Sequence, residues 1–154
     1  MYSIFSAKVS NVNVYSFEPE SNNFQTLMEN IISNLDINNE IIIIKNPKRE
    51  EVVSAYKQCE FLVLPSRWEL SPLTPLDGFA FKKTVISTTA HGIPYTISNN
   101  ENSILVEPEN SDQLADAILK LLKNDLLLEK LGNSGFEHVL NVANSKKMAE
   151  NTLN

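Results

Sequence analysis

The stretch Pro65–Ser87, PSRWELSPLTPLDGFAFKKTVIS, joins two short apolar runs, Phe61-Leu-Val-Leu64 and Thr84-Val-Ile-Ser87. Both runs have the length and the β-branched or aromatic content of buried strands. The segment between them predicts one short helix. Thr74-Pro75-Leu76-Asp77 sets a hydroxyl at an N-cap, a proline at the first helical position, where a missing N–H costs nothing, and an acid three residues after the cap. Ser71-Pro72 offers the same start one turn earlier. A helix that begins just past the carboxyl end of a buried strand lies where open parallel sheets take their ligands, and its free N–H groups and dipole favour phosphate.

Glu69 precedes this helix start and Asp77 falls in its first turn, with seven residues between them. Taken singly, Asp77 reads as a capping-box acid and Glu69 as an exposed loop acid. Together, after Pro65-Ser66 and around Leu73, they resemble the signature of the retaining GT-B glycosyltransferases of family four, the group 1 glycosyl transferases. There the segment runs roughly P-S-x-x-E-x-F-G-L-x-x-x-E-A-x-A-x-G-x-P-V-I. Pro65, Ser66, Glu69, Leu73, Ala80, Val85 and Ile86 match, and Asp77 stands for the second Glu. Ser71-Pro72 replaces Phe-Gly, Gly78 replaces Ala, Lys82 replaces Gly and Thr84 replaces Pro.

The likeness continues downstream, covering roughly residues 41 to 150. His91-Gly92-Ile93-Pro94-Tyr95 is similar to the family's Gly-Gly-x-P-Glu turn with the first Gly changed and Tyr95 where an acid is common. Asn99–Pro108 resembles a D-G-x-N-G-x-L-V-x-P strand and turn, with Asn102 and Leu105-Val106 in place. Ser111 then caps a predicted helix with Leu114, Ala117, Ile118, Leu121 and Leu122 inward, similar to a family helix of the pattern x-x-L-A-x-A-I-x-x-L-L.

The resemblance implies a role for each matching residue. Glu69 lies at the donor sugar as the catalytic acid of the motif, and Asp77 holds the ribose hydroxyls of the nucleotide. Ser71, Leu73 and Thr74 belong to the segment that cradles the diphosphate, in which Pro72 has no N–H to offer. His91 and Gly92 form the turn that approaches the donor. Read alone, His91 is an exposed loop residue or a partner for a sugar hydroxyl or phosphate, and Gly92 serves wherever backbone crowds a ligand or takes positive φ.

The implied reaction moves a sugar from a UDP-, GDP- or ADP-sugar to a glycan or lipid-linked acceptor with retention, a hexosyltransferase step of polysaccharide biosynthesis. No metal or other cofactor is expected. In that architecture the chemistry lies between two Rossmann-like domains. Residues 1–154 therefore read as a single nucleotide-sugar-binding domain, the C-terminal half of a larger enzyme and inactive without its N-terminal acceptor domain. The family's Gly-Arg and Lys-Gly segments, which neutralise the donor phosphates, would lie before Val12, and Lys8 is a poor substitute. Two other classes stay open: a non-catalytic domain that keeps the half fold for protein interaction, and a GT-B-related sugar-nucleotide epimerase fragment.

The remaining residues set bounds. A chain of 154 residues, 42% hydrophobic and 21% charged, suits one globular domain with an ordinary core. Its net charge of −6 and pI near 4.9 argue against a nucleic-acid surface. No apolar run approaches the ~20 residues of a membrane span, and the start MYSIFSAKVS lacks a charged leader, so a cytoplasmic location is expected, with membrane-peripheral attachment left to the full-length enzyme. Cys59 is the only cysteine and reads as a small core residue.

Val12–Phe17 alternates as a strand does, and the first ten residues predict another strand or a ragged start. Ser21 opens a helix with Phe24, Leu27, Met28, Ile31, Ile32 and Leu35 on one face, and Ile41–Ile44 suits a buried parallel strand. Lys45-Asn-Pro-Lys-Arg49 is a basic cluster on the same rim as Glu69, facing either a phosphate, a base or solvent. Val52, Val53 and Tyr56 share a helix face. A helix over Asp125–Leu140 carries Gly132 and Gly135, which weaken it, and Ser145 opens a last helix over Lys146–Glu150. Strands near 12, 41, 61, 84 and 104 separated by helices predict an α/β fold, a Rossmann-like three-layer α/β/α sandwich with a mostly parallel sheet. No Walker loop, G-x-G-x-x-G, zinc-ligand spacing or G-x-S-x-G elbow occurs.

Overall fold

Phe61-Leu-Val-Leu64 forms a strand buried at all four positions, as a continuous apolar run within a parallel sheet requires. It is one of six strands in a computed structural model that describes residues 2–8, 11–18, 22–37, 41–45 and 47–142. In chain order the elements are β1 (Tyr2–Lys8), β2 (Asn11–Glu18), α1 (Asn22–Asn34), β3 (Ile41–Lys45), α2 (Arg49–Gln58), β4 (Phe61–Leu64), α3 (Thr74–Ala80), β5 (Val85–Thr88), α4 (Ile93–Thr96), β6 (Ser103–Val106), α5 (Ser111–Leu122) and α6 (Asp125–Val142). The sheet order is β3-β2-β1-β4-β5-β6.

The pairs β2·β3, β4·β5 and β5·β6 are parallel, and β1 runs antiparallel to both of its neighbours. Tyr2–Lys8 thus supplies a sixth, reversed strand. That reversal puts Ser3 opposite Val63, whereas Lys8 pairs with Asn11 at the far end of the hairpin. Lys8 therefore lies at the sheet edge remote from the carboxyl ends of β4 and β5, and cannot stand in for a phosphate-binding cation there.

Alternation along the strands divides the core into two layers. Leu62, Leu64 and Val85 meet Ala55 and Tyr56 of α2, Phe79 of α3 and Ile93 of α4. Phe61, Val63, Ile86, Ile104 and Val106 meet Ala117 and Leu121 of α5 and Leu131 of α6, with Leu114, Ile118 and Leu122 packed against them. The inward face read for α5 is the one used. Cys59 is fully buried in the first layer, its thiol donating to the Tyr56 carbonyl at 3.5 Å, and burial pushes its pKa up to about 12.

Several boundaries differ from expectation. Asn110, not Ser111, is the N-cap of α5, its side chain accepting from Gln113 N–H at 3.0 Å. In α1, Ile32 is buried while Ile31 and Leu35 stand in solvent, so the apolar stripe is not buried along its whole length. Ser21, the side chains of Phe24, Leu27 and Met28, and the segment Lys146–Glu150 lie outside the described residues. The short helix α4 follows the His91-Gly92 turn directly, where only a turn was expected.

Three residues that replace glycines of the family pattern hold left-handed backbone: Lys82 (φ 58), His91 (φ 42) and Asn100 (φ 60). Such a conformation costs roughly 1–2 kcal/mol for a side-chain-bearing residue and less for Asn. At Lys82 part of that cost is offset where Nζ sits 5.1 Å from the Phe136 ring centre, a cation–π contact of about 0.5–1 kcal/mol.

Candidate functional site

The loop 65–73 leaves β4 at the carboxyl rim of the sheet and returns as α3. Its root is tied to β5, where the Ser87 hydroxyl donates to the Leu64 carbonyl at 2.8 Å. Glu69, half-buried, accepts at Oε1 from the Ser66 hydroxyl at 3.3 Å, and its carbonyl accepts from Gly92 N–H at 2.8 Å. The structure therefore brings Glu69 and Gly92 together through backbone.

The helix start is shifted by one residue from the sequence reading. Leu73, already in the α region at φ −83 and ψ −24, is the N-cap, and its carbonyl accepts from Asp77 N–H at 3.0 Å. Thr74 and Pro75 lie inside the first turn and both are buried, so the Thr74 hydroxyl does not cap the helix. Ser71-Pro72 precedes the helix without opening it. Ser71 and Leu73 are exposed, as are Asp77 and His91. The imidazole of His91 lies 6.0 Å from the indole of Trp68, the rings tilted by 57°. Trp68, Leu70, Leu73 and Tyr95 leave an exposed apolar fringe on this rim that the motif reading did not single out.

Partial desolvation raises the pKa of the Asp77 carboxyl above its ordinary value of 3.8, and the Arg49 charge pulls the other way. One member of the basic cluster thus acts on the acid of the motif. The folded state holds that proton more tightly than the unfolded chain does, so stability falls as pH rises from 3.8 through the raised value. Asp77→Asn is expected to remove that fall and to leave the protein more stable than wild type at pH 7. Urea midpoints of both proteins from pH 3 to pH 7 test this; a difference that stays constant with pH counts against it.

Beside the loop lies a cavity of about 230 Å³ lined by Pro65, Arg67, Thr88, Glu107, Glu109 and Ser111 among others. Arg67 Nε meets Glu109 Oε1 at 3.0 Å in an exposed ion pair, worth no more than about 1 kcal/mol. Among the described residues no cluster of three His, Cys, Asp or Glu side chains is arranged to hold a metal ion, and no helix is long and apolar enough to cross a membrane.

The mostly parallel sheet with helices on both faces is the Rossmann-like α/β/α arrangement of one half of a GT-B fold. The family model for Glycosyl transferases group 1 matches residues 21–138, and the chain belongs to that family. An uncharacterized glycosyltransferase of Methanocaldococcus jannaschii is 36% identical over 88 residues, 57% of this chain and 25% of the relative. The structure of a glycosyltransferase from Rickettsia africae superposes with a TM-score of 0.79 at 27% identity, covering 90% of this chain and 38% of that one. HepE of Anabaena, solved in complex with UDP-glucose, gives a TM-score of 0.76 at 14% identity over 86% of this chain and 37% of its own. The chain spans about a quarter of the length of the curated relative named here.

Proposed function

We propose that this chain is the donor-binding domain of a retaining glycosyltransferase, the half that holds a nucleotide-diphosphate sugar while an N-terminal domain presents a glycan or lipid-linked acceptor. The observation that carries the reading is the membership of the group 1 family joined to two acids on one rim, Glu69 fixed in its loop and Asp77 partly desolvated on α3. A related fold holding UDP-glucose supports the donor class. Asp77 accepts from the ribose hydroxyls, Glu69 meets the sugar, and the segment Ser71–Thr74 lies along the diphosphate, with His91 and Gly92 forming the opposite wall. The bond from the anomeric carbon to the phosphate oxygen breaks, a bond from that carbon to the acceptor oxygen forms, and the acceptor's hydroxyl proton passes to the departing diphosphate. The domain contributes by stabilising charge on the departing nucleotide. The reaction is assigned to the cytoplasm, with no metal or further cofactor.

Calorimetric titration with UDP, GDP, ADP and their sugars tests this. One nucleotide should bind saturably, and Asp77→Ala should weaken it tenfold or more, the loss of a hydrogen bond to a charged group being about 1.5–3 kcal/mol. Unchanged affinity in that variant removes Asp77 from the site. Pro72, which stands in the phosphate-facing segment with no N–H to offer, favours a second reading, a domain that keeps the fold for protein interaction without the ligand; it predicts no binding up to millimolar nucleotide sugar.

A further inference from the structure

The loop that carries Glu69 is fastened to the end of the neighbouring strand. Thr88, the last residue of β5, is only 2% exposed. Its hydroxyl donates to the Ser66 carbonyl at 2.6 Å and accepts from Ala90 N–H at 3.3 Å. Ser66 in turn donates its hydroxyl to the Glu69 carboxylate. Four residues after Thr88, Gly92 N–H holds the Glu69 carbonyl at 2.8 Å. A Cβ on Gly92 would stand 1.6 Å from the Leu70 carbonyl oxygen and 3.0 Å from that of Glu69. Gly92 has φ −78 and ψ −11, torsions open to any residue. Contact with the loop carbonyls, not conformational freedom, is what requires glycine there.

We infer that Thr88 and Gly92 are positioning residues for Glu69, gripping its loop at Ser66 and at the Glu69–Leu70 peptide so that the carboxylate is set before any ligand arrives. The functional consequence rests on the proposed contact between Glu69 and the donor sugar; the positioning itself does not. Thr88→Val keeps the shape and leaves the Ser66 carbonyl and Ala90 N–H without a partner in a buried place, which loosens the loop. Thr88→Ser keeps the bond. Gly92→Ala pushes the Leu70 carbonyl aside, because a backbone atom cannot swing away as a side-chain tip can.

Trp68 is the only tryptophan of the chain and sits next to Glu69, so its emission reports on this loop. The test compares wild type, Thr88→Val, Thr88→Ser and Gly92→Ala by Trp68 fluorescence and by amide exchange over residues 66–70 against the strands 85–88 and 103–106. Thr88→Val and Gly92→Ala should speed exchange in the loop at least tenfold relative to the strands and shift the Trp68 emission, while Thr88→Ser behaves as wild type. An unchanged loop in Thr88→Val, equal acceleration of the strands, or failure of Thr88→Ser to restore the wild-type loop overturns the inference. Titration with UDP, GDP, ADP and their glucose conjugates adds the functional arm: Thr88→Val should keep its affinity for the nucleotide that binds and lose the extra affinity for the corresponding nucleotide sugar. Retention of that extra affinity overturns the role toward Glu69. A wild type that binds none of these nucleotides or their sugars overturns the donor reading, and the exchange data alone then decide the positioning.

Discussion

Phe79→Ala is expected to lower the stability of the domain by about 3–5 kcal/mol, the usual cost of deleting a fully buried aromatic ring. Phe79 has no exposed surface and joins Leu62, Leu64, Val85 and Ile93 in the first core layer. Its ring also meets His138 of α6 edge-on at 6.2 Å. The helix it belongs to has seven residues, too few to persist on its own hydrogen bonds, so packing must hold it. Phe79 is the anchor that seats α3 between the sheet and α6. Asp77 lies two residues before it on the same helix, so the substitution should also weaken nucleotide binding at temperatures where the variant remains folded. Phe79→Leu fills much of the same space and should cost only about 1–2 kcal/mol. Urea denaturation of the three proteins measures both numbers. A loss below 1 kcal/mol for Phe79→Ala would mean that α3 is held by something other than this ring.

How much of this was legible in the sequence depends on the kind of signal. β4 announced itself as a four-residue apolar run closed by Pro65, and β5 as the β-branched Thr84-Val85-Ile86 that follows the short helix. α5 was equally plain, since Leu114, Ala117, Ile118 and Leu121 recur at helical spacing. The direction of β1 was hidden: alternation marks which residues face which layer and is the same for a strand run either way. The glycine positions misled in both directions. Searching for glycine finds positive φ only where glycine is present, so the left-handed backbone at Lys82, His91 and Asn100 went unread. Gly92 was read as a place where backbone crowds a ligand or takes positive φ; its φ is −78, and what crowds it is the chain's own Leu70 carbonyl.

The candidate site divides in the same way. Glu69 and Asp77 were singled out because their spacing resembles a family signature, and the match over residues 21–138 bears out the family. Thr88 left no trace, since its partner Ser66 lies 22 residues away and nothing in a hydroxyl's sequence context tells where its hydrogen bond goes. Arg49 was visible as part of a basic cluster, but only the fold connects its charge to Asp77.

The glycines of α6 make the sharpest case, because there sequence and structure predict opposite signs. By helix propensity alone Gly132→Ala should stabilise α6 by about 1 kcal/mol. The expected result is a net loss of about 2 kcal/mol. A Cβ at position 132 would stand 2.2 Å from the carbonyl oxygen of Lys82 and 3.0 Å from its carbon. That carbonyl belongs to the left-handed turn between α3 and β5, which is held by Lys82 N–H to the Phe79 carbonyl and Lys83 N–H to the Gly78 carbonyl, each at 2.9 Å. The turn has little room to give. Nor can α6 roll away, because its neighbour Leu131 is fully buried in the second layer while Gly135, one turn on, already touches the Phe79 ring. Overpacking of this kind costs roughly 1–3 kcal/mol, and contact with fixed backbone places it at the upper end, ahead of the propensity gain. Asn133→Ala is the control: the adjacent side chain is exposed, so the substitution should show the propensity term alone, a gain of a few tenths of a kcal/mol. Opposite signs for the two neighbours in the same denaturation experiment would establish that α6 approaches the α3–β5 turn through Gly132. Stabilisation by both would mean that the helix stands further off than the structure has it.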